Sequence, residues 1–470
     1  MKPAPPVTRT VVIRYPPCNC SVRASGGLSK TAQNQSIEQS EGTIGRSFRR
    51  WRSSWNRDCL QAPPRGAPLP VAELAMQTSA CDLLPMPITS SKPVANSGRV
   101  FVIARDIQRN DAVGNFCEQV GALLRHAGFE AVLAAENCHP DDRGRILPMP
   151  AALAAIAPED TIIFQFSTED PAFPAVAALP NPKIVFYQNI TPERFFRGTD
   201  DRTADLVAQG LAQRGLCGRF DVIMANSRAT AAALIEDLPA DQAAGIDVTK
   251  IIPCPPVIGV ERWDDITAAD APAQSDERLV LFVGRLVPHK GIDDLIAGFA
   301  HLARTDGEVR LAIVGGPAQS DYALALKNGV TRLDPAVASR IGFHHDISED
   351  ALKRLYQAAA VCASMSRHEG FGVPLLDAMF FDKPLVIRAE PGMIETAGDA
   401  AIVVAEPTPE VTAAALQAAL DDPRVRAELE AGRAQQLERL RAAADGSRII
   451  DAIAAARRRW QARSGQHDAG

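Results

Sequence analysis

The chain is predicted to be an α/β protein made of two doubly wound domains, each containing a parallel sheet. Short apolar segments typical of buried parallel strands alternate with stretches whose apolar residues recur at helical spacing. The alternation occurs twice, on either side of an acidic stretch rich in small residues at 264–277, which is typical of an interdomain linker. The length of 470 residues also exceeds what one hydrophobic core usually organises.

The first alternating set spans residues 99–263 and is predicted to form the N-terminal domain. It opens on the apolar segment RVFVIA, followed by a loop at 111–115 and an amphipathic helix that presents Phe116, Val120 and Leu124 on one side. Gly128 is expected to close that helix. Helices are expected between the strands, as at 230–235. The predicted strands of this set are 99–104, 131–135, 161–166, 183–187, 221–225 and 250–252.

The second set spans residues 278–445 and is predicted to form the C-terminal domain. A helical stripe contains Ile292, Leu295 and Phe299, and Pro374 suits the first position of a later helix. Another helix is expected at 349–359, and a helical tail from about 411 to 463, with residues 446–470 forming a terminal helix and tail. The predicted strands are 278–283, 309–314, a segment near 342–343, 358–363, 385–387 and 401–404.

Residues 1–98 differ from the rest in composition and are predicted to be a disordered, basic extension. They contain 12 Lys and Arg against 5 Asp and Glu, whereas the whole chain has a net charge of −6. The cluster RRWRSSW at 49–55 could touch an anionic membrane, although a solvated tail is the simpler interpretation. Met76 and Met86 leave open a downstream start of translation. The acidic remainder argues against nucleic-acid binding, which needs a basic footprint.

The cysteines and the hydropathy pattern argue against a zinc-binding, a membrane-spanning or a secreted protein. The nine cysteines include no pair of CxxC motifs, so no zinc site is expected, and their scattered positions fit a reducing cytoplasm. No apolar run approaches the ~18 residues that span a bilayer, and the N-terminus lacks the apolar core of a signal peptide. We therefore expect a cytoplasmic protein, with peripheral contact at the cytoplasmic face of the inner membrane as an alternative.

The segment at 364–379 (SMSRHEGFGVPLLDAM) contains the strongest chemical signal. It has the form of a strand, a glycine-rich loop and a helix, so the amides of Gly370, Phe371 and Gly372 can approach a ligand where a helix begins. Glu369 lies in the loop and Asp377 about one turn into the helix. An ordinary strand–turn–helix unit with two solvated acids is the alternative.

This segment resembles the E-x7-E signature of family 4 retaining glycosyltransferases, usually EGFGxPxxEAM followed by KP. Here Lys383-Pro384 follows, and Glu395 stands before Gly398-Asp399-Ala400-Ala401. Asp377 departs from the usual Glu, so the carboxylate reach is one methylene shorter. The resemblance implies the GT-B fold, in which two Rossmann-like domains face a cleft. It also implies that Glu369 holds donor sugar hydroxyls and Asp377 the ribose.

A second motif, GRLVPHKG at 284–291, follows the first strand of the C-terminal domain. Gly284 ends the strand, and Arg285 and Lys290 are held in one loop, from which they could bind a diphosphate. Surface cations beside a turn are the alternative. The motif resembles the VGRLxxxKG segment of the same family. Its spacing of about 80 residues from Glu369 is also similar to the spacing in that family.

Two segments of the N-terminal domain contain weaker functional signals. Gly114, at the start of the first helix, could let that helix approach the donor, and a plain turn is the alternative. The segment YQNITP contains Gln188 and Asn189 as candidate acceptor or sugar contacts, and it resembles YHNITP of a polysaccharide-building branch of the family. Gln188 stands where that branch has histidine, and a glutamine can hydrogen-bond a sugar hydroxyl but cannot carry a proton near neutral pH.

The resemblance implies transfer of a hexose from a nucleotide diphosphate sugar with retention of configuration. Arg285 and Lys290 would stabilise the departing diphosphate. The acceptor would be a saccharide or polyprenyl-diphosphate-linked oligosaccharide in exopolysaccharide or O-antigen assembly, and the donor GDP-mannose. No DxD motif calls for a metal and no cofactor is expected. The alternatives are a non-catalytic nucleotide-sugar-binding paralogue and another GT-B enzyme, such as a nucleotide-sugar epimerase or a hydrolase.

Overall fold

The computed structural model describes residues 98–109, 111–256, 278–443 and 446–467. Within them, the chain forms a seven-stranded and a six-stranded parallel sheet flanked by helices. The predicted extension (apart from Gly98), the basic cluster at 49–55 and the predicted linker at 264–277 lie outside the described residues.

The N-terminal sheet has the order β3-β2-β1-β4-β5-β6-β7. Its strands are β1 Val100–Ile107, β2 Ala131–Cys138, β3 Leu147–Pro148, β4 Thr161–Phe166, β5 Lys183–Tyr187, β6 Val222–Ala225 and β7 Ile251–Pro253. Its helices are α1 Ala112–His126, α2 Met149–Ala155, α3 Phe173–Ala178, α4 Asp201–Gln213, α5 Arg228–Ile235 and α6 Ala240–Ala244. Every residue of β4 and β5 is buried, because helices cover both faces of the sheet.

The C-terminal sheet has the order β10-β9-β8-β11-β12-β13. Its strands are β8 Leu279–Val283, β9 Arg310–Val314, β10 Ile341–His344, β11 Val361–Ser364, β12 Leu385–Arg388 and β13 Ala401–Val404. Its helices are α7 Ile292–Leu302, α8 Asp321–Val330, α9 Pro335–Ala338, α10 Glu349–Ala358, α11 Val373–Phe380, α12 Pro391–Ala397, α13 Pro409–Asp421 and α14 Pro423–Arg441.

The predicted strand at 358–363 begins three residues later, since α10 continues to Ala358. Pro374 occupies the second helical position, because Gly372 is the N-cap and α11 starts at Val373.

The predicted helical tail is divided into α13, α14 and a last helix, α15 (Ser447–His467). Asp422 ends α13 and caps α14, whose first residue is Pro423. Helix α15 packs on the N-terminal sheet, where Ile449 and Ile453 join the core beside Val100. The final helix therefore returns the chain to the first domain.

The basic residues near the end of α15 contact the N-terminal domain. Arg457 Nε donates to the Thr161 hydroxyl at 2.9 Å, and Arg463 forms an ion pair with the buried Asp221. Arg459 donates to the Asp221 carbonyl oxygen. These bonds hold the end of α15 against the N-terminal domain.

Candidate functional site

The two motif loops of the C-terminal domain lie side by side at the carboxyl ends of neighbouring strands. The cation loop (residues 284–291) follows β8, and the glutamate loop (residues 365–372) follows β11. Strands β8 and β11 are adjacent at the point where the strand order reverses. Ligands of open α/β sheets bind at such a switch point.

Lys290 and Glu369 meet across these two loops in an ion pair. Their side chains are 14% and 17% exposed, so both charges are largely withdrawn from water. Lys290 ends a single 3₁₀ turn, and Gly291 (φ 60°) is the N-cap residue that precedes α7. A side chain at Gly291 would collide with the Met365 carbonyl oxygen, so glycine lets the two loops touch. Two residues predicted from separate motifs thus form one charged centre.

Arg285 is exposed at the start of the cation loop. Within the described part of the chain, its guanidinium has no hydrogen bond or ion pair. An uncommitted guanidinium close to Lys290 can bind an anion in a bidentate manner.

Gly370, Phe371 and Gly372 place their backbone at the beginning of α11. Their N–H groups have no hydrogen-bond acceptor among the residues the structure describes. The Phe371 ring is buried in the core, and Gly372 has φ 86°. The amides at this helix start are therefore available to an anion or a sugar oxygen, and a donor contact for these three residues stays a prediction. Gly284, by contrast, donates its N–H to the Val314 carbonyl at 2.9 Å.

Asp377 lies in α11 and is only 7% exposed. Its negative charge contributes to raising the pKa of the Cys362 thiol to about 12, after the larger effect of burial. A ribose contact for Asp377 stays a prediction.

Glu390 is a neighbour of the site that the sequence analysis missed. It is 9% exposed, and its carboxylate caps α12 by accepting from the Met393 N–H at 3.0 Å. Burial, together with the charge of Glu369, raises the pKa of Glu390 to about 7. The signal in the sequence was a Glu followed directly by Pro at a helix start, which is also common at helix caps without function.

Glu395 joins the two domains. Its carboxylate accepts the N–H groups of Arg228 and Ala229 at the start of α5, at 2.9 to 3.2 Å. Nearby, the Ser227 hydroxyl donates to the Gly370 carbonyl at 2.7 Å. These bonds hold the start of α5 against the glutamate loop.

An aromatic cluster lies on the same boundary. Phe195 and Phe196 of the N-terminal domain approach His289, with ring centroids 6.2 and 5.6 Å away, and His368 lies 6.4 Å from His289. Burial lowers the pKa of His289 to about 2 and that of His368 to about 4, and nearby cations add to the effect. Both imidazoles are therefore neutral near pH 7.

The weaker candidates of the N-terminal domain have different positions. Gln188 and Asn189 lie beside the glutamate loop, where Asn189 Nδ2 donates to the Glu369 carbonyl at 3.5 Å. Gly114 is buried, and a side chain there would collide with the Gln108 backbone. The Asp111 carboxylate already accepts the Gly114 N–H at 3.2 Å. The close approach of the Gln108 backbone thus explains the glycine at position 114 without a ligand.

A cavity of about 410 Å³ lies in the C-terminal domain, and neither Lys290 nor Glu369 lines it. Its two arginines, Arg367 and Arg388, are ion-paired with Asp294 at 2.9 and 3.1 Å. Among the described residues, no group of three or more His, Cys, Asp or Glu is placed to hold a metal ion. Likewise, no described helix is long and apolar enough to cross a membrane.

Residues 265–436 match the sequence model of the family described as glycosyl transferases group 1. An uncharacterized glycosyltransferase, MJ1607 of Methanocaldococcus jannaschii, is 34% identical over 26% of this chain and 30% of its own. A D-inositol 3-phosphate glycosyltransferase of Kineococcus radiotolerans is 29% identical over 46% of this chain and 53% of its own. The chain thus spans about half the length of the inositol phosphate relative, and less than a third of the length of MJ1607.

Solved structures share the fold at low sequence identity. Anabaena Alr3699/HepE, solved in complex with UDP and glucose, has a TM-score of 0.59 and 18% identity over 76% of this chain and all of its own. Sucrose-phosphate synthase of Thermosynechococcus elongatus has a TM-score of 0.58 and 19% identity over 79% of this chain and all of its own. The predicted GT-B architecture of two Rossmann-like domains is confirmed.

Proposed function

We propose that the protein is a retaining glycosyltransferase that transfers a hexose from a nucleotide diphosphate sugar to an acceptor hydroxyl. The observation that carries the proposal is the meeting of Lys290 and Glu369 at the switch point of the C-terminal sheet, beside the uncommitted Arg285. The match of residues 265–436 to the group 1 family supports it. So does the likeness in fold to a protein solved with UDP and glucose.

In the proposed reaction, the diphosphate lies between the cation loop and the start of α11. Arg285 and Lys290 stabilise the charge that builds on the diphosphate as the glycosidic bond breaks. Because Lys290 is held by its ion pair with Glu369, little reorganisation of this charge is needed in the transition state. The amides of Gly370 to Gly372 add hydrogen-bond donors, and Glu369 accepts from the sugar hydroxyls.

The acceptor hydroxyl attacks the face of the sugar that the diphosphate leaves, and its proton passes to the leaving phosphate. No protein carboxylate forms a bond to the sugar. The proposed chemistry needs no metal ion, because the two cations and the helix start supply the positive charge.

For the finer assignment, we propose GDP-mannose as the donor and a saccharide or polyprenyl-diphosphate-linked acceptor. The segment YQNITP supports a role in exopolysaccharide or O-antigen assembly, at the cytoplasmic face of the membrane. The named function of the inositol phosphate relatives makes D-inositol 3-phosphate a second acceptor to test.

A non-catalytic nucleotide-sugar-binding protein is the second candidate. Gln188, which replaces the His of the polysaccharide-building branch, and Asp377, which replaces the family's usual Glu, favour it. This candidate binds nucleotide sugar without releasing the nucleotide.

The test is a thermal-shift and turnover panel on the full chain with GDP-mannose, UDP-glucose and dTDP-glucose. Each donor is assayed with and without a lipid-linked oligosaccharide mixture or D-inositol 3-phosphate. We expect one nucleotide class to stabilise the protein and the nucleotide to be released only with acceptor. Release without acceptor would indicate a hydrolase, and binding without release a non-catalytic protein.

Two arginine variants make the panel specific. Arg285→Ala should lower turnover at least a hundredfold, because a charge that contacts the leaving group in the transition state is lost. The matched control is Arg354→Ala, since Arg354 is exposed on α10. Equal activity of the two variants would overturn the assignment of the cation loop.

A further inference from the structure

Three side-chain amides form a hydrogen-bonded row across the edge of the N-terminal sheet. Gln165 is near the end of β4, and Gln188 and Asn226 directly follow β5 and β6. Gln188 Nε2 donates to Gln165 Oε1 at 2.7 Å, and Asn226 Nδ2 donates to Gln188 Oε1 at 3.4 Å. Because β4, β5 and β6 are neighbours, their carboxyl ends hold the three side chains in sequence.

Both ends of this amide row are unsatisfied. Gln165 Nε2 and Asn226 Oδ1 are buried and have no hydrogen-bond partner within the described residues. Gln165 is 2% exposed and Asn226 5%. A buried polar atom without a partner is destabilising. Reversing all three amides would exchange the two ends, so either orientation leaves one donor and one acceptor.

The row lies where the proposed reaction would place a sugar. Its Gln165 end is beside the junction of β1 and β4, which is the switch point of this sheet. Its Asn226 end faces the glutamate loop, because a Cβ at Gly370 would lie 2.8 Å from Asn226 Nδ2. The row therefore reaches from the N-terminal switch point towards the loop that contains Glu369.

We propose that the amide row is a specificity site that reads the hydroxyl groups of an uncharged hexose. A hydroxyl both donates and accepts, so hydroxyls of one ring can satisfy the free donor and the free acceptor. A hexuronate carboxylate can only accept, and it would bring a negative charge towards Glu369. This inference rests on the proposed function. The hexose can belong to the donor or to the acceptor.

The main test is the substitution Gln165→Glu in the full chain, which preserves shape and removes both amide donors. Calorimetry measures affinity for UDP-glucose, GDP-mannose, UDP-glucuronate, UDP and GDP. If the row reads the donor, the wild type should bind UDP-glucose at least tenfold more tightly than UDP-glucuronate. If the row reads the donor, Gln165→Glu should weaken nucleotide-hexose binding at least tenfold and leave binding of the bare diphosphate unchanged.

If the row reads the acceptor, donor binding is unchanged and the acceptor KM rises at least tenfold. The matched control is Gln357→Glu, because Gln357 Nε2 is also buried without a partner in the described chain but lies at the end of α10. This control should change neither quantity. Asn226→Leu removes the free acceptor at the other end of the row, and it serves alone if Gln165→Glu does not fold.

Two results would overturn the proposal. One is a change of less than twofold in both donor affinity and acceptor KM in a folded row variant. The other is an equal loss of affinity for the bare diphosphate. If the wild type binds no nucleotide, the proposed function fails, and ligand-observed NMR with free mannose and glucose then tests the row. No difference between wild type and Gln165→Glu in that measurement would reject the row as well.

Discussion

The Lys290 ammonium and the Glu369 carboxylate depend on each other, because each is mostly shielded from water. Removing one partner leaves the other with its desolvation uncompensated. We expect Lys290→Ala to lower the free energy of unfolding by about 1–3 kcal/mol. Adding Glu369→Gln should restore part of this loss, and the double-mutant cycle should give a coupling of at least about 1 kcal/mol.

The ion pair of Arg197 and Asp205, at 2.7 Å, is the control for this cycle, because both side chains are exposed. Its coupling should stay below about 1 kcal/mol, since exposed pairs are solvated and screened. Urea denaturation of the single and double variants measures both cycles. Equal coupling energies in the two pairs would mean that shielding from water does not strengthen the interaction of Lys290 with Glu369.

Glu390 gives the protein a distinctive dependence of stability on pH. Its pKa is raised to about 7 in the folded protein, above the value of about 4.3 in an unfolded chain. Between these two pKa values the folded protein keeps a proton that the unfolded chain has released. Stability should therefore fall as pH rises through this window, by at most about 1.4 kcal/mol per pH unit, and level off above pH 7.

The variant Glu390→Gln isolates this contribution, because a glutamine stays neutral at every pH. The difference in unfolding free energy between wild type and variant should change between pH 5 and 7 and then become constant. Glu349→Gln is the control, since Glu349 is exposed in the first turn of α10. A pH-independent difference for Glu390→Gln would show that Glu390 is ionised throughout.

Gly291 controls how closely the cation loop and α7 approach the glutamate loop. Its φ of 60° is strained for other residues, and a Cβ would collide with the Met365 carbonyl oxygen. We expect Gly291→Ala to lower the free energy of unfolding by about 2–4 kcal/mol, from backbone strain and overpacking. Gly307→Ala should change it by less than about 0.5 kcal/mol, since space around Gly307 is open. Equal melting temperatures for both variants would contradict this account.

The elements that the sequence predicted best are those with strong periodicity. The apolar stripe of Ile292, Leu295 and Phe299 predicted α7, and buried runs such as 161–166 predicted strands with the correct bounds. Short elements such as β3 and α2 were missed, because two to seven residues contain too little of a period to detect. Local patterns thus determined the sheets but not every connection.

The proximity of Lys290 and Glu369 was predictable, since carboxyl ends of parallel strands meet at one edge of a sheet. Glu390 and the amide row were not, because burial of a lone Glu or Gln depends on distant elements. Glu395 is recognisable in the sequence as part of a motif, but its carboxylate accepts hydrogen bonds from Arg228 and Ala229 in the other domain. Such contacts depend on how the domains pack, which periodicity within each domain does not encode.

The same reasoning applies to α15, whose apolar positions indicate burial but not the surface that covers them. Ile449, Ala452, Ile453 and Ala456 belong to the core of the N-terminal sheet. The chain therefore crosses from the first domain to the second and back again. This return makes the stability of the N-terminal sheet depend on residues at the far end of the sequence.

Ile453→Ala tests that dependence at the level of the whole molecule. Ile453 is 1% exposed, so its truncation should cost about 2–5 kcal/mol through lost burial and a residual cavity. Asp451→Ala is the control on the exposed face of the same helix and should cost less than about 0.5 kcal/mol. Hydrogen exchange should accelerate in β5 and β6, which α15 contacts, and stay unchanged in β8 and β9. Faster exchange confined to the C-terminal sheet would show instead that α15 stabilises the domain from which it emerges.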